Sequence, residues 1–263
     1  MRIFWIITWH SIRRHLTYRA AAWAGLITNI FFGILRAAVL LALLGARAEL
    51  AGVTAQDAIT FTALTQAIIA YLSIFGWYEL MNSVHTGQVS GDLLKPLGLF
   101  RYWLAVDLGR AGVALLLRGC TIMLIYAAFV PITTPPTPAH WLALAVSLSL
   151  AWYISFAWRF IVNLAAFWSP NAAGVGRFAF GITWVLSGFF LPLRFYPDWF
   201  IALCNATPFP AMVNTVIEIY LGLVHGQAML YLLAQQVVWA IALYIAAQLI
   251  LRAGIRRLVI QGG

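Results

Sequence analysis

The stretch GQVSGDLLKPLGLFR, residues 87–101, carries the only lysine of the chain and lies between two apolar runs, Ala58–Met81 and Ala111–Val130. Roughly 20 apolar residues cross the hydrocarbon core of a bilayer as a helix. Each run therefore has membrane length, and the polar step between them is a connection outside the membrane. Four more runs have the same character: Ala22–Leu44, Trp141–Ile161, Val175–Leu191 and Met229–Leu251. The pattern predicts six transmembrane helices, the third beginning at Ala111 or as early as Trp103. The breaks agree with it, since 45–57 is polar, PITTPPTPAH (131–140) cannot stay helical and SPNAAG (169–174) has turn chemistry.

Composition leads to the same class. The 263 residues are 63% hydrophobic and 9% charged, with a mean hydropathy of +0.91, whereas soluble domains are about 25% charged. Long apolar runs with short polar breaks select helices over a transmembrane barrel. The expected fold is an all-α integral membrane protein forming one transmembrane domain over residues 1–263. Cys120 and Cys204 stand far apart and offer neither metal spacing nor a disulfide framework.

Basic residues orient the chain. Arg2, Arg13, Arg14, Arg19, Lys95, Arg101, Arg110, Arg159, Arg177, Arg252, Arg256 and Arg257 fall on one side, against Arg47 and Arg194 in the loops of the other. By the positive-inside rule both termini and 87–101 are cytoplasmic. The net charge of +9 is then mostly topology, and no soluble basic surface exists to bind nucleic acid.

Residues 1–20 form an arm in which Trp5, Trp9, Ile12 and Leu16 share one helical face and His10, Arg13, Arg14 and Thr17 another. Such a helix lies in the headgroup layer among membrane lipids, tryptophans at the boundary and arginines on anionic lipid. The alternative is a plain basic flank that sets topology. A signal peptide is not expected, because more arginines follow the first arginine-free run and no small-residue cleavage site precedes the first span.

Within 87–101, Ser90 is a candidate N-cap, Asp92 suits the first turn, Leu93, Leu94 and Leu97 form an apolar face, and Pro96 ends or bends the element. A short capped helix with a leucine face suits a docking peg for another protein; a tight turn without a partner is the other reading.

Polar and small residues mark stripes inside the spans. Asn29, Phe32 and Arg36 share a face of the first span, Thr62 and Gln66 lie in the second, and Thr183, Trp184 and Ser187 in the fifth. They are candidates for lining a pathway, although such residues also serve helix packing. Arg36 and Arg118, both inside spans, either snorkel toward the interface or face that pathway.

Two motifs then carry a resemblance. Gly87 followed by Leu94-Lys95-Pro96-Leu97 resembles the element between the second and third spans of type-2 ABC exporter permeases, in the subfamily grouped with drug, viologen and antibiotic exporters. The stretch 186–222, with Gly188, Leu191-Pro192-Leu193, Phe195, Pro197, Trp199, Pro208-Phe209 and Tyr220-Leu221-Gly222, is similar to that family's exit from the fifth span. The resemblance implies that Gly87, Gly91, Asp92, Leu93, Leu94, Lys95, Pro96 and Leu97 form a coupling helix on a nucleotide-binding ATPase subunit. It also implies that 193–222 forms short re-entrant outer helices between spans five and six. Lys95 departs from the commoner arginine, replacing a planar fork with a point charge.

Other classes have less support. A P-loop needs a lysine after a glycine-rich turn, and the only lysine precedes a proline. No catalytic residues and no metal site are expected in this chain, and the resemblance implies that ATP and Mg are bound by the partner ATPase, present in two copies. A membrane-embedded lipid-modifying enzyme would show an acid or nucleophile motif. An ion-coupled carrier would keep a carboxylate near the midplane, whereas all seven acids read as lying in loops or near span ends. The expectation is a cytoplasmic-membrane exporter subunit, paired with a second permease chain, identical or homologous, and moving a lipophilic or amphipathic compound.

Overall fold

The computed structural model describes residues 2–17 and 19–257, with side-chain surroundings given for 2–17 and 23–257. The chain runs through helices α1 (Arg2–Thr17) and α2 (Arg19–Leu44), a hairpin of β1 (Glu49–Leu50) and β2 (Val53–Thr54), then α3 (Ala55–Leu72), α4 (Glu79–His85), α5 (Val89–Leu93) and α6 (Leu99–Ala114). A π-helical turn (Leu115–Cys120) joins α6 to α7 (Thr121–Phe129), followed by α8 (Pro138–Leu164), α9 (Ala172–Leu186), α10 (Asp198–Asn205), α11 (Asn214–Tyr220) and α12 (Gly226–Ile255).

Among the described residues, four helical stretches are long and apolar enough to cross a membrane: Trp23–Leu44, Leu99–Phe129, Pro138–Phe167 and Gly226–Ile255. The other two expected spans are shorter. α9 has 15 residues, and the helix expected over Ala58–Met81 is interrupted at 73–78 between α3 and α4. The third span is longer than expected and takes in 99–101, the end of the polar step.

Local chemistry explains several boundaries. Thr54 and Asp57 form a capping box at the start of α3, and Thr133 Oγ1 donates to Asp57 at 2.5 Å, tying the loop after α7 to that cap. Pro138 opens α8 because a first-turn residue has no helical partner for its missing N–H. The hairpin turns on Ala51 and Gly52, both at positive φ.

The interruption at 73–78 is the costly feature, because backbone carbonyls in an apolar bundle need partners from the protein. Ser73 ends α3 in the left-handed conformation, and Gly76 has φ +141. Arg110 donates to the carbonyls of Ala70 (3.3 Å) and Tyr71 (2.9 Å), and Ser155 to that of Leu72 (3.0 Å). Trp184 Nε1 donates to Ile74 (2.9 Å), and Asn163 Nδ2 to Trp77 (2.7 Å). Asn163 Oδ1 accepts from the Met81 amide at 2.9 Å, so one side chain bridges the break and the next helix.

One of these donors, Arg110, is itself held by Asp107, which is 1% exposed, and Ser155 and Asn163 bond to Arg159, the other arginine on that carboxylate. Asp107 accepts from Arg110 Nε at 2.7 Å, Arg159 Nη1 and Nη2 at 3.0 and 2.8 Å, and Trp152 Nε1 at 2.9 Å. The i, i+3 pairing of Asp107 with Arg110 follows from helical spacing; the contact with Arg159 on α8 comes from packing. Two arginines against one carboxylate leave an excess positive charge, which lies against the carbonyl end of α3, the negative pole of its dipole. Asp107 is thus inside the bundle, and the expectation that all the acids lie at loops or span ends fails for this residue.

Asp107→Asn would leave two buried guanidinium groups without a carboxylate, a loss of about 3–5 kcal/mol. The purified variant should melt well below wild type in detergent. Arg14→Ala should melt like wild type, because Arg14 meets Glu79 at 3.8 Å with both side chains exposed. Equal melting of Asp107→Asn and wild type would show that the network is dispensable.

Candidate functional site

The polar step folds as a compact projection. Gly87 takes φ +76, a left-handed turn that leads from α4 into α5. Ser90 lies inside α5, with its hydroxyl donating back to the Gly87 carbonyl at 2.7 Å, and the N-cap position falls on Gln88. The expected Ser90 cap is therefore replaced by a bond from Ser90 back to the turn that precedes the helix.

Asp92 is the anchor of the projection. It accepts from Ser83 of α4 at 3.3 Å and from Lys95 at 2.6 Å. The Lys95 ammonium also sits 3.7 Å from the centre of the Tyr102 ring on α6. Burial opposes its charge, but Asp92 and Tyr102 outweigh that effect and raise its pKa above the ordinary lysine value. Lys95 therefore keeps its charge throughout the neutral range, and its contribution to the clasp is lost as pH rises through that elevated pKa.

The leucines divide. Leu93 packs on the core, Leu97 is half-buried, and Leu94 stands 87% exposed at the tip. Gly91 has open space around it, and Gly87 and Pro96 are exposed.

A second feature lies between α2, α3 and α9. A cavity of about 410 Å³ is lined by Asn29, Phe32, Arg36, Gln66 and Trp184, together with Thr28, Ile69, Phe75, Phe189 and Phe190. Arg36 turns inward. It donates to Thr65 Oγ1 at 3.0 Å, to the Phe190 carbonyl at 2.9 Å and to the Phe189 carbonyl. Its guanidinium carbon lies 4.4 Å from the centre of the Phe189 ring. Arg118 lies instead against Gly25 of α2.

Thr62, Thr183 and Ser187 are buried away from this lining. Thr62 donates to the Ile59 carbonyl, and Thr183 accepts from Trp158. The Ser187 hydroxyl is buried without a partner among the described residues.

The arm has two faces. Thr8 and Ser11 are buried against α6, where Ser11 donates to the Val106 carbonyl at 2.6 Å. Gly109 permits this approach, since a Cβ there would lie 2.6 Å from the Thr8 carbonyl oxygen. Trp5 and Trp9 point outward, and Arg13 lies over the Trp9 ring at 5.2 Å.

After α9, Arg194 pairs with Glu218 at 2.7 Å and donates to the Leu223 carbonyl, which ties the start of 193–222 to its end. α11 is buried against α8, with Val213 and Val216 wholly enclosed. Gln236 of α12 donates to Ala211 (2.8 Å) and Ser147 (3.2 Å), joining this segment to the bundle.

Some of the lining had little signature in sequence. Phe75 is placed by the break beside Gly76, and Phe189 and Phe190 by the turn at Gly188. The aromatic pair before Leu191-Pro192 was the visible sign. Tyr102, the ring under Lys95, lies beyond the motif and is reached only because α6 begins at Leu99.

The described residues thus form a helical bundle with four helices of membrane length and a short projecting helix. The family model described as ABC-2 family transporter protein matches residues 29–262, and the chain belongs to that family. It is a multi-pass membrane component of an ABC-type transport system. No curated protein and no solved structure matches it.

Asp92→Ala should release both Ser83 and Lys95 while leaving the bundle intact. The partly exposed clasp contributes about 1 kcal/mol at most, so amide exchange over 87–98 should quicken by up to about fivefold. Unchanged exchange would mean that the turn alone holds the projection.

Proposed function

We propose that the chain is the permease half of an ABC exporter and that 87–101 couples it to ATP hydrolysis in separate chains. The observation carrying this is Leu94, an apolar side chain exposed at the tip of a five-residue helix that is otherwise clamped by Asp92, Lys95 and Tyr102. A large apolar group held rigidly in solvent gains by burial in a partner's groove. In this reading the partner is a nucleotide-binding subunit, which supplies ATP and Mg.

Six crossings are made by the four long helices, by α9 and by the α3–α4 unit, with 193–222 re-entrant on the outer side. Both termini and Leu94 then face the cytoplasm, and the membrane is the cytoplasmic one. Six crossings with one coupling helix make half of a two-fold pathway, so a second permease chain and two ATPase copies complete the assembly. The cavity walled by α2, α3 and α9 is the pathway's cargo-binding portion, and its aromatic lining favours a lipophilic or amphipathic compound.

The buried carboxylate Asp107 invites an ion-coupled reading. Its four hydrogen bonds from Arg110, Arg159 and Trp152 argue against that role, because a coupling carboxylate must exchange its proton or ion during the cycle.

Leu94→Asp would set a charge against an apolar groove, at a cost of several kcal/mol. The variant should insert normally but lose co-purification of an ATP-binding chain from native membranes and lose transport in vesicles. Ser90→Cys should resist impermeant thiol reagent on intact cells, while Thr137→Cys should label. Wild-type co-purification and transport by Leu94→Asp would reduce 87–101 to a simple turn.

A further inference from the structure

Arg36 changes the chemistry expected of the cavity. A guanidinium has five N–H donors, and three bonds are made here, to Thr65, Phe189 and Phe190, so Nε and one Nη1 proton have no acceptor among the described residues. No carboxylate among those residues pairs with Arg36, although each of the seven acids of the chain is described. The contrast with Asp107 is direct: Arg110 and Arg159 share a carboxylate, while Arg36, on the cavity wall, is left with only carbonyl and hydroxyl acceptors.

A full charge in a low-dielectric wall favours an opposite charge beside it. The cavity has room for one, and Asn29 and Gln66 add uncharged amide donors on the same lining. The remaining wall near Arg36 is aromatic, with Phe75, Trp184 and Phe189 suited to an apolar body.

We propose that this cavity binds an amphipathic anion, with a carboxylate, sulfate or phosphate group on Arg36 and an apolar body among Phe75, Trp184 and Phe189. The proposal deepens the pathway reading given above and rests on it for the ligand's role as cargo. A membrane-embedded protein meets this chemistry in two forms, an anionic lipid headgroup or a separate amphiphile, and both are monoanions or dianions on an apolar stem.

The test uses the full-length chain in zwitterionic phosphatidylcholine nanodiscs, with empty nanodiscs subtracted. The probes are a dansyl-labelled long-chain carboxylate and its methyl ester, which share the same body. Wild type should bind the carboxylate about tenfold or more tighter than the ester, the scale of a charge-assisted hydrogen bond. Arg36→Lys should keep that preference and Arg36→Gln should lose it. Because Arg36 also holds the Phe189 and Phe190 carbonyls, Asn29→Asp serves as the independent variant: it should weaken the carboxylate selectively and leave the ester unchanged.

Phosphatidylglycerol added to the nanodiscs separates the sources. Displacement of the carboxylate assigns the site to a lipid headgroup, and undiminished binding assigns it to a separate amphiphile; either outcome supports an anion site. Equal binding of acid and ester to wild type, binding of neither, or a preference that survives in both Arg36→Gln and Asn29→Asp overturns it. The assay needs no ATPase, so its failure leaves the Leu94 docking result standing, and a failed docking result leaves an anion site without a transport role.

Discussion

The constraint on which this structure depends is the fate of the backbone carbonyls at 70–77. A helix that stops inside an apolar bundle exposes acceptors that water cannot reach, and each unsatisfied one costs several kcal/mol. Here Arg110, Ser155, Asn163 and Trp184 supply the donors, drawn from α6, α8 and α9. The break is affordable only because three other helices converge on it.

That convergence explains the placement of charge. Asp107, Arg110 and Arg159 are individually hard to bury, but together they form a closed set in which Asp107 accepts four hydrogen bonds and the surplus positive charge faces the end of α3. Ser155, Arg159 and Asn163 lie four residues apart on one face of α8, so one helical stripe serves both the carboxylate and the broken chain. The interior polarity of this protein is consequently a support for irregular backbone.

The break also joins the two candidate functional regions along the chain. On one side it leads into α4 and the α5 projection, where Ser83 meets Asp92. On the other, Phe75 lies in the break itself and lines the cavity, and Trp184 both caps the Ile74 carbonyl and contributes to the same wall. Six residues, 73–78, separate the helix that carries the projection from the helix that carries Gln66.

Hydropathy was sufficient to indicate an all-α membrane protein, because burial in lipid requires long apolar runs wherever in the fold they occur. Local motifs carried the family likeness for a similar reason: turn glycines and a proline stop act within a few residues. The interruption at 73–78 and the Asp107–Arg159 pair were not legible, since run length registers apolarity but not whether a carbonyl has a partner 39 or 83 residues away. Arg36 shows the same limit. Its depth in the first span was countable, but whether it snorkelled or turned inward depended on the carbonyls of Phe189 and Phe190, which reach it only when α2 and the turn after α9 pack together.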